Sequence, residues 1–138
     1  MITETIKYVD YDGNQREDTF YFNLSQADLV RLEVKDNRGF KAMIDEVIAS
    51  KNTERIWEIF EQILAMSVGK KSADGRRFSK RYEDKADFLE SEAYSEFVVK
   101  LIRDPKFAAD FINKLAEDAN RRDVTPVAAV DNGVTLVK

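Results

Sequence analysis

The sequence contains no cysteine and no histidine. Without cysteine the chain can form neither disulfides nor thiolate metal sites. Without histidine it lacks the commonest general acid–base and the commonest neutral metal ligand. Only 2 prolines and 5 glycines interrupt 138 residues, so long segments are open to helix formation. No apolar run approaches the roughly 18–20 residues that a bilayer span requires, which excludes a membrane partner of that kind. The N-terminal MITETIKYVD alternates and carries acid, unlike a signal peptide, and the expected location is the cytoplasm.

What is present is abundant charge over a substantial apolar fraction. Charged residues make up 35% and hydrophobic residues 43%, the composition of a helix-rich globular chain with enough length for one buried core. A net charge of −4 argues against general nucleic-acid affinity. That charge is unevenly spread: residues 1–69 carry 8 basic and 13 acidic groups, residues 70–82 carry 6 and 1, and residues 83–138 carry 8 and 12. One basic segment therefore lies between two acidic ones.

Residues 2–9 alternate, with Ile2, Glu4, Ile6 and Tyr8 on one face, and read as a strand. Tyr11-Asp12-Gly13-Asn14 supplies a turn, and alternation resumes from Asp18 with Phe20, Phe22 and Leu24 on one side. The resulting hairpin has one strongly aromatic face and needs helices or another chain to cover it. Ser25 and Asp28 have capping-box spacing ahead of a short helix carrying Leu29, Leu32 and Val34. Lys35 to Gly39 breaks it, and Phe40, Met43, Ile44, Val47 and Ile48 mark a second helix ending near Ser50–Asn52.

Thr53 to Lys71 reads as the central helix. Ile56, Ile59, Phe60, Ile63, Leu64 and Met66 form a wide apolar stripe, with Trp57 at its edge and Glu54, Glu58, Glu61 and Gln62 between. Thr53 is the expected N-cap and Gly69 the expected helix end. Residues 70–81, KKSADGRRFSKR, are expected to form a loop turned by Ser72, Asp74 and Gly75 and anchored by Phe78. Three further helices follow: Tyr82–Leu89, Glu92–Arg103 behind Ser91, and one opening at Asp104-Pro105 with Phe107, Ala108, Phe111, Ile112 and Leu115 inward. After Arg122 the helical spacing is lost.

The expected fold class is thus mostly α: a helical bundle of about five to six helices with an N-terminal β-hairpin over residues 1–24. The helical domain covers 1–121, and 122–138 is an extended or flexible tail in which Asp131-Asn132-Gly133 can turn a small hairpin.

No residue pattern points to catalysis or to a cofactor. Gly69-Lys70-Lys71-Ser72 resembles the end of a phosphate-binding loop, but position 64 is leucine where the pattern demands glycine. Carboxylate pairs such as Asp45–Glu46 and Asp84–Asp87 fall on polar helix faces or helix starts, where acids are stabilising anyway. The chain reads as a non-enzyme. Partner binding has better candidates: Arg76, Arg77, Lys80 and Arg81 in the basic segment, and the aromatic residues Phe20, Phe22 and Trp57. The basic segment suits a solvated loop, an acidic partner helix or, less well for want of aromatic platforms, nucleic acid.

Four stretches carry a resemblance: FYFNLS at Phe20–Ser25, GKKSADGRRF at Gly69–Phe78, SEAYSEF at Ser91–Phe97 and AADFIN at Ala108–Asn113. Over about residues 5–116 the chain resembles the tail assembly chaperones of long-tailed bacteriophages. The resemblance implies a non-enzymatic helical protein that coats the tape measure protein and keeps it soluble while tail tube subunits assemble. It also implies action in the host cytoplasm and absence from the mature virion. The expected partners are the tape measure protein, the major tail tube protein and further copies of the chain. A nucleic-acid-binding regulator using residues 70–81 and a head–tail structural subunit are the alternatives.

Overall fold

The computed structural model describes residues 1–35, 39–49 and 52–121. Two strands, β1 (Ile2–Val9) and β2 (Gln15–Phe22), precede three helices, α1 (Gln26–Lys35), α2 (Gly39–Ala49) and α3 (Thr53–Ser67). Two short strands, β3 (Val68–Lys71) and β4 (Phe78–Ser79), come next, followed by α4 (Tyr82–Leu89), α5 (Glu92–Arg103) and α6 (Pro105–Arg121). Among the described residues no helix is long and apolar enough to cross a membrane. The expected tail, its Asp131–Gly133 turn and the breaks at 36–38 and 50–51 lie outside the described residues.

The hairpin forms as its alternation requires, with Ile2 opposite Phe22 and Thr5 opposite Thr19. Gly13 takes a φ of 86°, the left-handed conformation that the turn demands. Ile2, Ile6 and Phe22 are buried on the helix side, whereas Thr3, Thr5, Lys7, Glu17 and Thr19 face solvent. Glu4 is the acid on the inner face; burial pushes its carboxyl up, and the charges of Lys100 and Lys114 pull it back.

The expected basic loop is instead a second hairpin. β3 pairs antiparallel with β2 and β4 with β3, giving a four-stranded sheet in the order β1-β2-β3-β4. Among the described residues the architecture is therefore mixed: six helices and the N-terminal strand pair are present as expected, but the pair extends into a four-stranded sheet on which α3, α4, α5 and α6 pack. Sheet pairing also moves the boundary of α3. The helix stops at Ser67, four residues short of Lys71, because the backbone turns extended at Val68 to meet β2. At the other end Asn52, not Thr53, is the N-cap, its side chain accepting the Arg55 amide at 3.2 Å.

Other helix starts follow their sequence signals. The Ser25 amide donates to Asp28 Oδ2 at 2.9 Å while the Asp28 amide donates to Ser25 Oγ at 3.1 Å, a reciprocal capping box. Asp104 Oδ1 accepts the Phe107 amide at 3.1 Å, with Pro105 first in α6. Tyr82 at the start of α4 points outward at 69% exposure, and Phe88 fills the core there.

Aromatic packing joins sheet to helices. The Phe22 ring stacks on Phe97 at 5.5 Å and meets Phe88 and Phe111 edge-on at 5.2 and 5.4 Å. One β2 side chain thus links α4, α5 and α6. The apolar stripe of α3 (Ile59, Phe60, Ile63 and Leu64) is buried as its spacing predicts.

Candidate functional site

The β3–β4 hairpin is the most organised charged feature, and its shape begins at Gly69. A Cβ at this position would lie 2.4 Å from the Ser79 carbonyl oxygen and 2.6 Å from Phe78 Cε2. Only glycine lets β4 and the Phe78 ring close over β3. The residue expected to end a helix is thus needed for close approach, not for left-handed backbone.

The turn between the strands is cross-braced. The Ser72 amide donates to the Arg77 carbonyl at 2.8 Å, and the Gly75 amide to the Ser72 carbonyl at 3.0 Å. Ser72 Oγ donates to Asp74 Oδ1 at 2.7 Å and accepts the Arg77 amide at 3.0 Å; the Arg76 amide donates to Asp74 Oδ1 at 3.1 Å. These bonds hold the Asp74 carboxyl below its usual range, the Ser72 hydroxyl foremost. Gly75, at φ 77°, completes the turn.

Below the tip, the basic residues are neutralised within the chain. Lys70 pairs with Asp87 of α4, which raises the lysine. Arg81 lies 3.6 Å from Asp84 and 3.8 Å from Glu83, and the Ser79 hydroxyl donates to Asp84. Lys80 reaches across to Asp28 at 2.7 Å and thereby ties the hairpin to the capping box of α1. Burial alone would raise the Asp28 carboxyl, but hydrogen bonds from Lys80 and the Ser25 amide outweigh it and hold the group below its ordinary value. Arg31 adds a contact at 3.3 Å. The Lys85 ammonium donates to the Ala65 carbonyl near the end of α3, where positive charge is favoured.

Arg76 and Arg77 stand apart. Among the described residues neither has an ion-pair partner, and both are exposed at the tip. Lys71 beside them donates to the Ser72 carbonyl at 3.1 Å. Lys71, Arg77, Phe78 and Arg81 line an open concavity of about 740 Å³ on this hairpin. Of the four basic candidates, Lys80 and Arg81 thus brace the hairpin internally, while Arg76 and Arg77 are presented outward.

The aromatic candidates also separate. Phe22 is 0% exposed and has no surface to offer a partner. Phe20 is half-buried, packed on Phe88 at 5.1 Å. Trp57 is 36% exposed at the edge of the buried α3 stripe, on the side of Phe60 and Leu64. Glu54, Glu58 and Glu61 flank it, exposed on the same side at spacings of four and three residues. Glu61 accepts the Tyr94 hydroxyl at 3.2 Å, and Glu58 lies 4.0 Å from Arg55. In the sequence these glutamates read only as the polar face of a helix. Their common signal was the i, i+4, i+7 repeat around a lone tryptophan.

A further exposed element is the free edge of β1, which pairs only with β2 among the described strands. The described residues thus expose a basic hairpin tip, an acidic α3 face beside Trp57 and a strand edge. Residues 1–118 match a family model described as phage tail assembly chaperone, and the chain belongs to that family. No curated protein and no solved structure matches it.

Proposed function

From membership of the phage tail assembly chaperone family, we propose that this chain binds the tape measure protein, keeps it soluble and assists assembly of the tail tube around it. The family match over residues 1–118 carries this reading. Its surfaces suit stoichiometric binding: a stiff basic tip, an exposed tryptophan and a free strand edge offer contacts to a long client. The major tail tube protein is a second client in this reading, and several copies associate along one tape measure chain. Action is in the host cytoplasm, and the chaperone is absent from the finished virion.

The test is co-expression of the tape measure protein with and without this chain. The expected result is a tape measure protein that is soluble only with the chaperone, co-purifies with it, and loses it in completed tails. A tape measure protein equally insoluble in both cases, or a chaperone retained in purified virions, refutes the reading. The second outcome would assign the chain to tail structure instead.

A further inference from the structure

The basic tip and the acidic face of α3 are both exposed, and their chemistry is complementary. Arg76 and Arg77 have no ion-pair partner among the described residues, and on α3 Glu58 and Glu61 keep only an Arg55 contact at 4.0 Å and the Tyr94 hydroxyl. The tip presents Lys71, Arg76 and Arg77 against the single internal acid Asp74. The α3 face presents Glu54, Glu58 and Glu61 around Trp57, which is 36% exposed. Outside residues 70–82 the chain carries −5 and −4, hence −9, against +5 within them.

We propose that the hairpin tip of one copy docks on the Trp57 face of α3 in a second copy, with Arg76 and Arg77 engaging the glutamates and the indole. A guanidinium can lie over the indole face while its N–H groups reach flanking carboxylates, so one residue type answers both features of the α3 surface. The contact is intermolecular because neither arginine has an ion-pair partner among the described residues of its own chain. The cross-braced turn fixes the arginine backbones beforehand, so docking sacrifices little loop freedom. A second copy is favoured over an unrelated acidic partner because each surface then accounts for the other.

Tip and α3 face are different patches, so the contact is heterologous. It leaves a free tip at one end and a free α3 face at the other, and repeats into a row or a ring. This rests on the self-associating chaperone proposed above and names the surface by which it associates.

The experiment is a charge swap on the purified full chain, read by sedimentation velocity and Trp57 fluorescence. Arg76→Glu/Arg77→Glu makes the tip acidic; Glu54→Lys/Glu58→Lys makes the α3 face basic. All four positions are exposed, and circular dichroism verifies that each variant folds. Wild-type association should weaken by roughly tenfold or more between ~0.05 and ~0.5 M salt. Each double variant alone should be monomeric, and an equimolar mixture of the two should restore association together with the wild-type fluorescence change.

Association that persists unchanged in both variants overturns this contact alone and passes self-association to another surface such as the β1 edge. A wild-type chain that stays monomeric at low salt overturns both this contact and the self-association it rests on, whatever the tape measure co-expression shows. A monomer that binds an oligonucleotide through Arg76 and Arg77 likewise overturns it and assigns the tip to nucleic acid.

Discussion

Replacing Gly69 by alanine tests whether close approach, not backbone conformation, fixes glycine there. The added Cβ would sit 2.4 Å from a backbone oxygen, and contact becomes tolerable only beyond 3.0 Å, so β4 must retreat by about 0.6 Å. The atom in the way is backbone, which cannot swing aside like the end of a flexible side chain. Overpacking of this kind costs ~1–3 kcal/mol. Lower freedom of alanine in the unfolded chain offsets ~0.4–1 kcal/mol of that. A net loss of ~1–2 kcal/mol corresponds to a fall in Tm of roughly 3–10 °C for a chain of this length. Because β4 is only two residues long, much of the response should be local. Amide exchange at Ser72, whose N–H bonds the Arg77 carbonyl across the hairpin, should accelerate along with the Tm loss. Asparagine substitution separates the two reasons for glycine. Gly13, at φ 86° with nothing within 4 Å of a Cβ, should accept asparagine at a cost below about 1 kcal/mol, whereas Gly69 should not. An unchanged Tm and unchanged Ser72 exchange in Gly69→Ala would refute the steric account.

Asp28→Asn keeps an acceptor for the Ser25 amide but removes the charge facing Lys80, and should cost about 1–3 kcal/mol by urea denaturation at neutral pH. Because the folded Asp28 carboxyl is held below its ordinary 3.8, its contribution is complete above that value and disappears as pH falls through the lower folded one. The gap between wild type and variant should therefore close in acid, and a gap that persists undiminished there would contradict the assignment. Phe22→Ala should cost about 3–5 kcal/mol and clearly more than Trp57→Ala, whose side chain is already 36% exposed; comparable losses at both would remove Phe22 from the centre of the core. Burial first, and the Glu61 charge second, push Tyr94 up to about 12 from 10.0. That stabilisation is present below pH 10 and lost as pH rises through 12, so a spectrophotometric titration should show a tyrosine ionising near 12 that vanishes in Tyr94→Phe.

The features legible in the sequence are those encoded locally. The β1–β2 alternation with its Gly13 turn, the Ser25–Asp28 box and the Asp104-Pro105 start each occupy a few consecutive residues, and each forms as read. The β3–β4 hairpin escaped because its strands are four and two residues long, too short for a period, and hold lysines and a glycine of low strand propensity. It exists because β2, some 46 residues upstream, supplies an edge at Tyr21 and Phe22 for Gly69 and Val68. The role of Gly69 is hidden for the same reason: its neighbour in space, Ser79, is not its neighbour in sequence. Among the candidate contacts, charge density marked the segment around Arg76 and Arg77. It could not say which basic residues find carboxylates in α1 and α4, since Asp28 precedes Lys80 by 52 positions.

The aromatic junction at Phe22 has a consequence for how the protein comes into being. Its rings arrive in the order Phe22, Phe88, Phe97, Phe111, and the first and last are 111 − 22 = 89 residues apart. At translation rates of ~5–20 residues per second, Phe22 waits roughly 5–20 s for its final neighbour. Through that interval the nascent β1–β2 hairpin carries a bare aromatic face and a free strand edge. During its own synthesis, this assembly chaperone is a chain with exposed apolar surface to protect.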